Sequence, residues 1–414
     1  MGDAPRPAPV SDALRDLMVA LRRDLHRHPE LSGREEGTIE RLRHALAPIR
    51  PAALDRVAGT GLVARIRGRD PGAPVVAVRG DIDALPIRED TGLSFASVIP
   101  GVMHACGHDA HAAWTVGAAH LLAERPAAGD VLIVLQPAEE TGRGALAVLE
   151  SGALDAARAI FGGHVDRRFA VGEVVAQEGP LAAAADTFRI TLAGRGAHGA
   201  RPHEGADPVA AAGTLIAALQ SIVARRVDPA RPAVLTIGAI HGGAAPNVIP
   251  ERVVLEGTLR STDPATRDVL ATGVRDVAAG VAAAHGVRAD VDVALGTPPL
   301  VNDARAAAWA RDAAQRVLGE HAVVPLGTVN MGAEDFAYYL ERIPGCFLRV
   351  GARESGGAPT PAHSPAFHAD EGCLPVGAAV LAECARTASA ALAGDRQPTA
   401  PMPLTPPNGG RPCA

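Results

Sequence analysis

Between His104 and His111 the chain reads His104-Ala-Cys-Gly-His-Asp-Ala-His111, with three imidazoles, one thiol and one carboxylate in close succession. Such a cluster is costly to place in a core, because each polar group needs a partner. It suits a metal-binding loop: Cys106-x-His108 lets two ligands converge on one ion, and Gly107 lets the backbone bend between them. The same residues also fit a helix start, with Asp109 near the cap and the histidines on a wet face.

Further first-row metal ligands come from Glu139, Glu140, His164 and His363. The paired glutamates follow an apolar run that ends Leu135-Gln-Pro137. On a strand they would point to opposite faces. On a bend, one can bind a metal while the other reaches the metal-bound water, whose pKa the ion lowers to about 7. Without a metal they read as a solvated charge pair at a helix start. Asp81 and Asp83 follow a strand, where they either hydrogen-bond a ligating histidine or cap a helix. Taken alone, His164 after Gly162-Gly163 is undecided, and His363 in Ala362-His-Ser-Pro365 reads as a surface residue.

One motif misleads. Gly194-Arg-Gly-Ala-His-Gly199 matches G-x-G-x-x-G, but Pro202, Gly205 and Pro208 delay the helix that a dinucleotide site requires. Leu219-Gln220 also stand where the ribose-binding acid should be. The sequence has no G-x-S-x-G, H-E-x-x-H or C-x-x-C.

The elements that must position these residues follow from periodicity. A helical pattern runs from Ser11 through Leu14, Leu17, Leu21 and Leu25 and stops at Pro29. A second helix covers 34–47. Short strands are expected at 62–66, 75–78, 131–135 and 159–161, with helices at 110–124 and 143–150. Alternating strands and helices with polar residues at strand ends predict a mainly parallel α/β sheet whose site lies at the carboxyl ends of its strands. After Ala185 the style changes. Strands at 186–193, 233–241, 250–261 and 287–295 with helices at 206–224 and 264–285 give the order β-α-β-β-α-β, a ferredoxin-like α+β unit. The first style then returns, with helices at 303–318 and 374–393 and a strand at 346–350. The expected division is a discontinuous catalytic domain over 11–185 and 297–395, an insert over 186–296, and disordered Pro-rich tails at 1–10 and 396–414.

Composition narrows the function. The 414 residues are 47% hydrophobic and 21% charged, with a net charge of −6, which argues against a nucleic-acid partner. All basic residues are Arg, so Schiff-base and P-loop lysine chemistry is excluded. Five widely spaced cysteines do not form a disulfide framework, and Cys346, Cys373 and Cys384 read as buried thiols. No apolar run approaches the ~18 residues of a membrane span, and residues 1–11 lack an apolar signal core. A cytoplasmic location with no membrane partner is expected.

Taken together, the motifs resemble the M20 metallopeptidases, in the amidohydrolase branch that contains hippurate hydrolases, N-acyl-amino-acid amidohydrolases and plant auxin-conjugate hydrolases. The resemblance spans about 15–393. It rests on His26-Arg-His-Pro-Glu-Leu31, Arg79-Gly-Asp-Ile-Asp-Ala-Leu-Pro86, Met103-His-Ala-Cys-Gly-His-Asp109 and Gln136-Pro-Ala-Glu-Glu140. Ala197-His-Gly-Ala-Arg-Pro-His203, Ala245-Pro-Asn-Val-Ile-Pro250, Gly332-Ala-Glu-Asp-Phe336 and His363-Ser-Pro365 follow in the family's order.

The resemblance implies a dinuclear-metal catalytic domain with an inserted dimerisation or lid domain. It implies two divalent ions per subunit, zinc or manganese, with cobalt and nickel as further options. Cys106, His108, Glu140, His164 and His363 would be the ligands, Cys106 standing where many relatives have a bridging Asp, and Asp81 would support them. Glu139 would be the general base. His198 would stabilise the oxyanion from the partner subunit of a homodimer or dimer-based oligomer, and Asn247 would hold the substrate. Arg260 is a further candidate for a substrate carboxylate, through its bidentate fork. The implied reaction is hydrolysis of the amide bond of a small N-acyl amino acid. A dipeptide or N-acetyl-diaminopimelate as substrate, or an inactive small-molecule-binding relative, are the alternatives. Departures from the family are mild: Gly163 replaces a larger apolar residue, and Trp114 follows the cluster, where core packing is its expected role.

Overall fold

The computed structural model describes residues 10–395. The tails expected to be disordered lie outside those residues, apart from Val10, which packs against the core. The chain opens with α1 (Asp12–Arg27), α2 (Glu36–Leu46), β1 (Ala53–Val57), β2 (Gly61–Ile66) and β3 (Val75–Asp81). Then come α3 (His108–Glu124), β4 (Val131–Gln136), α4 (Gly144–Glu150), β5 (Ala157–Ala170), β6 (Val174–Val175) and β7 (Gly179–Ala182). The middle of the chain supplies β8 (Ala185–Ala193), β9 (Ala197–His198), α5 (Pro208–Arg226), β10 (Ala233–Gly242), β11 (Val248–Ile249), β12 (Arg252–Ser261), α6 (Pro264–His285) and β13 (Arg288–Thr297). It closes with β14 (Leu300–Asn302), α7 (Ala304–Leu318), α8 (Ala337–Leu340), β15 (Gly345–Arg353) and α9 (Cys373–Gly394).

The larger sheet has the order β1-β2-β4-β3-β5-β15-β6. Only its centre is parallel, β4-β3-β5-β15; the flanks β1-β2-β4 and β15-β6 are antiparallel. The sheet is therefore mixed, not mainly parallel as expected. The short β1 and β6 were invisible to an apolar-run reading because one is solvent-facing and the other has two residues. Helices α1, α2, α3, α7 and α9 cover one face around Trp114, Met18 and Phe161. The other face packs Phe336, Tyr339 and Phe347 against α4 and α8. Two helices, α5 and α9, are long and apolar enough to cross a membrane by composition. Here α9 packs between α3 and α7, and α5 lays its buried face on the smaller sheet.

That smaller sheet is antiparallel, in the order β10-β12-β8-β13, with α5 and α6 on one face and its own apolar cluster around Phe188, Ile190, Leu215 and Leu255. Asp207, Asp263 and Asp303 cap α5, α6 and α7 through their carboxylates, satisfying first-turn N–H groups. Gly194–Gly199 ends β8 and forms β9, while α5 begins only at Pro208, so the glycine pattern is no dinucleotide turn.

Two expected boundaries move. The strand expected at 159–161 runs from Ala157 to Ala170, so His164 sits inside it, paired with Arg349. The Gly162-Gly163 pair that read as a strand end serves packing: a Cβ on Gly162 would lie 2.8 Å from Phe336 and 3.0 Å from Phe347. And α3 begins at His108, two residues earlier than expected, because Gly107 takes φ +88° at its N-terminus. A side chain there would also press on Val165, 2.5 Å from its Cγ2.

Candidate metal centre

The carboxyl ends of β3 and β4, the middle of β5 and the first turn of α3 meet at one wall of a cleft of about 1330 Å³. Cys106, Glu139, Glu140, His164 and His363 all line it. Cys106 Sγ lies 3.2 Å from His164 Nε2. His108 Nε2 lies 3.9 Å from Glu140 Oε1 and 3.9 Å from Glu139 Oε2. His363 Nε2 lies 3.4 Å from Glu140 Oε1. His363 holds φ +65°, with its N–H donating to Ala105 O at 2.8 Å, so the loop carries it to the ligand wall despite its half-exposed ring. Glu139 and Glu140 occupy a 3-10 turn after β4, entered through Ala138 at φ +55°.

Hydrogen bonds fix which ring nitrogens are free. His108 Nδ1 donates to Asp83 O at 2.9 Å, leaving Nε2 bare. His164 Nδ1 donates to Val165 O at 2.6 Å, so its Nε2 lone pair faces Cys106. His111 differs: Nε2 accepts from Val165 N–H at 2.9 Å and Nδ1 donates to Asp81 at 2.6 Å. Both its nitrogens are committed, so His111 is a support rather than a ligand. It stacks on Trp114, ring centroids 4.8 Å apart, and Trp114 is fully buried, as expected of core packing.

Asp81 and Asp83 share the support. Asp83 bonds the His108 ring, accepts from Ser32 at 2.7 Å and accepts the Glu140 N–H at 3.1 Å. Asp81 bonds His111 and Arg79, and its carboxylate lies 3.8 Å from His108 Nε2. Asp81 was the expected support for His108; Asp83 bonds the His108 ring and Asp81 the neighbouring His111 ring. Residues i and i+2 of an extended stretch point the same way, so both can reach the α3 histidines.

His108 Nε2 and Glu140 Oε1 are buried without a hydrogen-bond partner. Their separation exceeds a hydrogen bond, yet one ion with ligand bonds of about 2.0–2.2 Å could touch both. With the Cys106 thiol and the His164 and His363 imidazoles alongside, the donor set fits borderline divalent ions. Burial pushes the Cys106 thiol up, and it would ionise only against a cation. Burial opposes a charge on His108, but Asp81, Cys106 and the hydrogen bond to Asp83 together outweigh it and raise the ring's pKa well above its usual value. Burial, reinforced by Glu334 and Asp335, raises Glu139 well above the ordinary carboxylate range.

Under this wall Arg79 is fully buried and holds Glu334 at 3.2 Å and Asp335 at 2.9 Å as well as Asp81. The Asp335 N–H in turn donates to Glu139 Oε1 at 3.3 Å. The Glu334-Asp335 pair had been quoted as a motif without a task. Its task depends on Arg79, 256 residues away in sequence, so no local signal could reveal it.

The remaining expected residues lie elsewhere. His198 on β9 and Asn247 line a separate, more open hollow with Val248 and Glu251. They are joined through Gly199 N–H to Asn247 O at 2.8 Å, and both are exposed. Arg260 stands on β12 opposite Val234 and lines neither hollow. Cys346, Cys373 and Cys384 are buried free thiols, as expected, with Cys373 pushed up to about 12 by burial.

Residues 77–387 match the model of peptidase family M20/M25/M40. The chain is 44% identical to the N-acetyl-L-cysteine deacetylase of Bacillus subtilis (strain 168), covering 86% of this chain and 85% of that one. It is 37% identical to an IAA-amino acid hydrolase of Arabidopsis thaliana, over 89% of this chain and 85% of the relative. Among solved structures, a Bacillus subtilis dinuclear metal-binding peptidase from the M20 family superposes with a TM-score of 0.82 at 38% identity. That match covers 92% of this chain and 99% of the other.

Proposed function

This chain belongs to peptidase family M20/M25/M40 and is a hydrolase, and we propose that it cleaves the amide bond of N-acyl amino acids in the cleft beside Cys106. The observation that carries the reading is the pair of buried atoms without a hydrogen bond, His108 Nε2 and Glu140 Oε1, 3.9 Å apart beside a thiol and two further imidazoles. Relatives named for N-acetylcysteine and IAA-amino acids support an acyl group on an amino-acid nitrogen. In this reading Cys106, His108, Glu140, His164 and His363 hold two divalent ions, zinc or manganese. Such ions, when bound, acidify water and polarise a carbonyl.

Glu139 takes the proton of the attacking water and passes it to the leaving nitrogen. The burial and neighbouring carboxylates that raise its pKa suit the second half of that task, since an acid must hold the proton long enough to deliver it. Asp83 and Asp81 keep His108 and His111 in the tautomers described above. His198, exposed and outside the cleft lining of its own chain, serves the developing oxyanion in a second copy, with Asn247 gripping the substrate. We therefore read 186–296 as a dimerisation and lid unit inserted between the segments 11–185 and 297–395. The buried free thiols favour a reducing, cytoplasmic setting.

The test is hydrolysis of hippurate, N-acetylmethionine, N-acetylcysteine, indole-acetyl-alanine, N-acetyl-diaminopimelate and a dipeptide, by chelated enzyme and again after adding zinc, manganese or cobalt. Metal-dependent cleavage of an N-acyl amino acid is the expected result. Cleavage of the dipeptide or of N-acetyl-diaminopimelate alone would move the substrate class.

A further inference from the structure

Arg349 on β15 lines the same cleft. It lies beside His164 of β5 in parallel register, one strand spacing away. Its side chain is only 5% exposed, yet its Nε has no hydrogen-bond partner, and among the described residues no carboxylate forms an ion pair with it. The contact it does make is with the Phe347 ring, 5.8 Å from the guanidinium carbon. Its neighbours differ in this respect. Arg79 holds Asp81, Glu334 and Asp335; Arg167 holds Glu354; Arg168 takes both oxygens of Asp166. Those arginines pair with the nearest carboxylates, and among the described residues no side chain forms an ion pair with the Arg349 guanidinium, whose Nε is buried without an acceptor. A buried, unpaired cation is costly, and burial pulls its pKa down.

We propose that Arg349 is the cleft's recognition group for a carboxylate carried by the substrate; the inference rests on the hydrolase reading above. A carboxylate is the planar anion that a guanidinium fork binds through two parallel hydrogen bonds. Adjacent strands stand about 4.8 Å apart. A carboxylate on Arg349 therefore lies within roughly one to two residue lengths of a carbonyl placed at Cys106 and His164. Two sources share this chemistry: the α-carboxylate of the amino-acid half, or the distal carboxylate of a dicarboxylic acyl group. Arg349 is preferred to Arg260 for this task because it faces the cleft.

Wild-type enzyme, R349M and R349K are to be compared on N-acetylmethionine, N-acetylmethionine amide and N-succinylmethionine amide. If the α-carboxylate is the ligand, R349M raises KM for N-acetylmethionine about ten- to a hundredfold with kcat little changed, and leaves both amides unaffected. If the acyl carboxylate is the ligand, the loss falls on N-succinylmethionine amide instead. R349K, which keeps the charge but not the fork, should fall between, and it carries the test if R349M does not fold. Equal losses on acid and neutral amide would overturn the proposal and make Arg349 a positioning residue. If the wild type cleaves none of the three, the hydrolase reading has failed. The carboxylate site is then judged by thermal shift with N-acetylmethionine: a wild-type rise that R349M lacks supports it, and equal responses overturn it.

Discussion

The two sheets differ in the buried groups they leave without a hydrogen bond: in the smaller one it is a hydroxyl, Ser261 Oγ, whereas the part built on the larger one leaves imidazoles and carboxylates. In the smaller sheet the buried carboxylate Asp186 is fully matched: Arg267 grips both its oxygens at 2.9 and 2.6 Å, and Gly296 N–H adds a third bond at 2.9 Å. In the part built on the larger sheet, buried imidazole and carboxylate atoms of His104, His108, Asp109 and Glu140 have no hydrogen-bond partner. Native proteins rarely tolerate such atoms, so their clustering marks where stability yields to function. Outside both sheets, the two-stranded β9-β11 ladder and the residue before β11 present two exposed side chains, His198 and Asn247, in a separate hollow. One region gathers the buried candidate ligands; the other presents exposed polar side chains in a separate hollow.

The sharpest way to break the larger-sheet half is Glu139→Gln. It should leave metal content unchanged while lowering kcat by about 10²–10⁴-fold, the range of a lost general acid–base group; near-full activity would remove Glu139 from the reaction. His198→Ala attacks the other half, and kcat should fall about 10²–10³-fold, as for a lost oxyanion donor. Mixing His198→Ala with Glu139→Ala enzyme should then restore part of the activity through hybrid dimers. No recovery, with subunit exchange demonstrated, would place both halves of the site in one chain. Asp83→Ala should weaken metal affinity about 10–100-fold, measured by competition with a chelator, because the His108 ring loses its anchor.

The smallest effect concerns a charge buried on α1. His26, 1% exposed, bonds Asp109 at 2.9 Å. Burial disfavours its charge, but the Asp109 carboxylate prevails and raises the ring from 6.5 to about 9. The folded value lies above the unfolded one. The stabilisation is therefore full below about pH 6.5 and is lost as pH rises through about 9. Thermal melts of the wild type should decline across that interval, and His26→Gln should flatten the decline. A wild-type melting temperature that stays level from pH 6.5 to 9.5 would refute the assignment.

Much of this was legible because the relevant signals are local. Helical periodicity placed α1, α6, α7 and α9 to within a residue or two, since each has an apolar stripe, and the last three begin or end at Asp caps, Pro or Gly. The candidate ligands stood out because Cys106-x-His108 and Glu139-Glu140 sit on bends where their side chains need not alternate, and the fold brings them close to one another. The failures are non-local. Gly162-Gly163 looked like a strand end because a sequence does not show that Phe336 and Phe347 will lie against it. Asp81 and Asp83 could not be told apart because each reaches α3 and only the fold assigns the ring. The tasks of Arg79, Glu334 and Asp335 required knowing that segments far apart in sequence meet under the cleft.

The central claim is that the cleft binds divalent metal and needs it for hydrolysis. The direct measurement is metal content per subunit, by elemental analysis after chelation, reloading with zinc or manganese and exhaustive dialysis, with N-acetylmethionine hydrolysis assayed on the same samples. The account predicts two ions per subunit on reloading, with activity absent from the chelated enzyme and returning with the metal. A protein that retains no divalent ion, or one whose hydrolysis is indifferent to chelation, would contradict it.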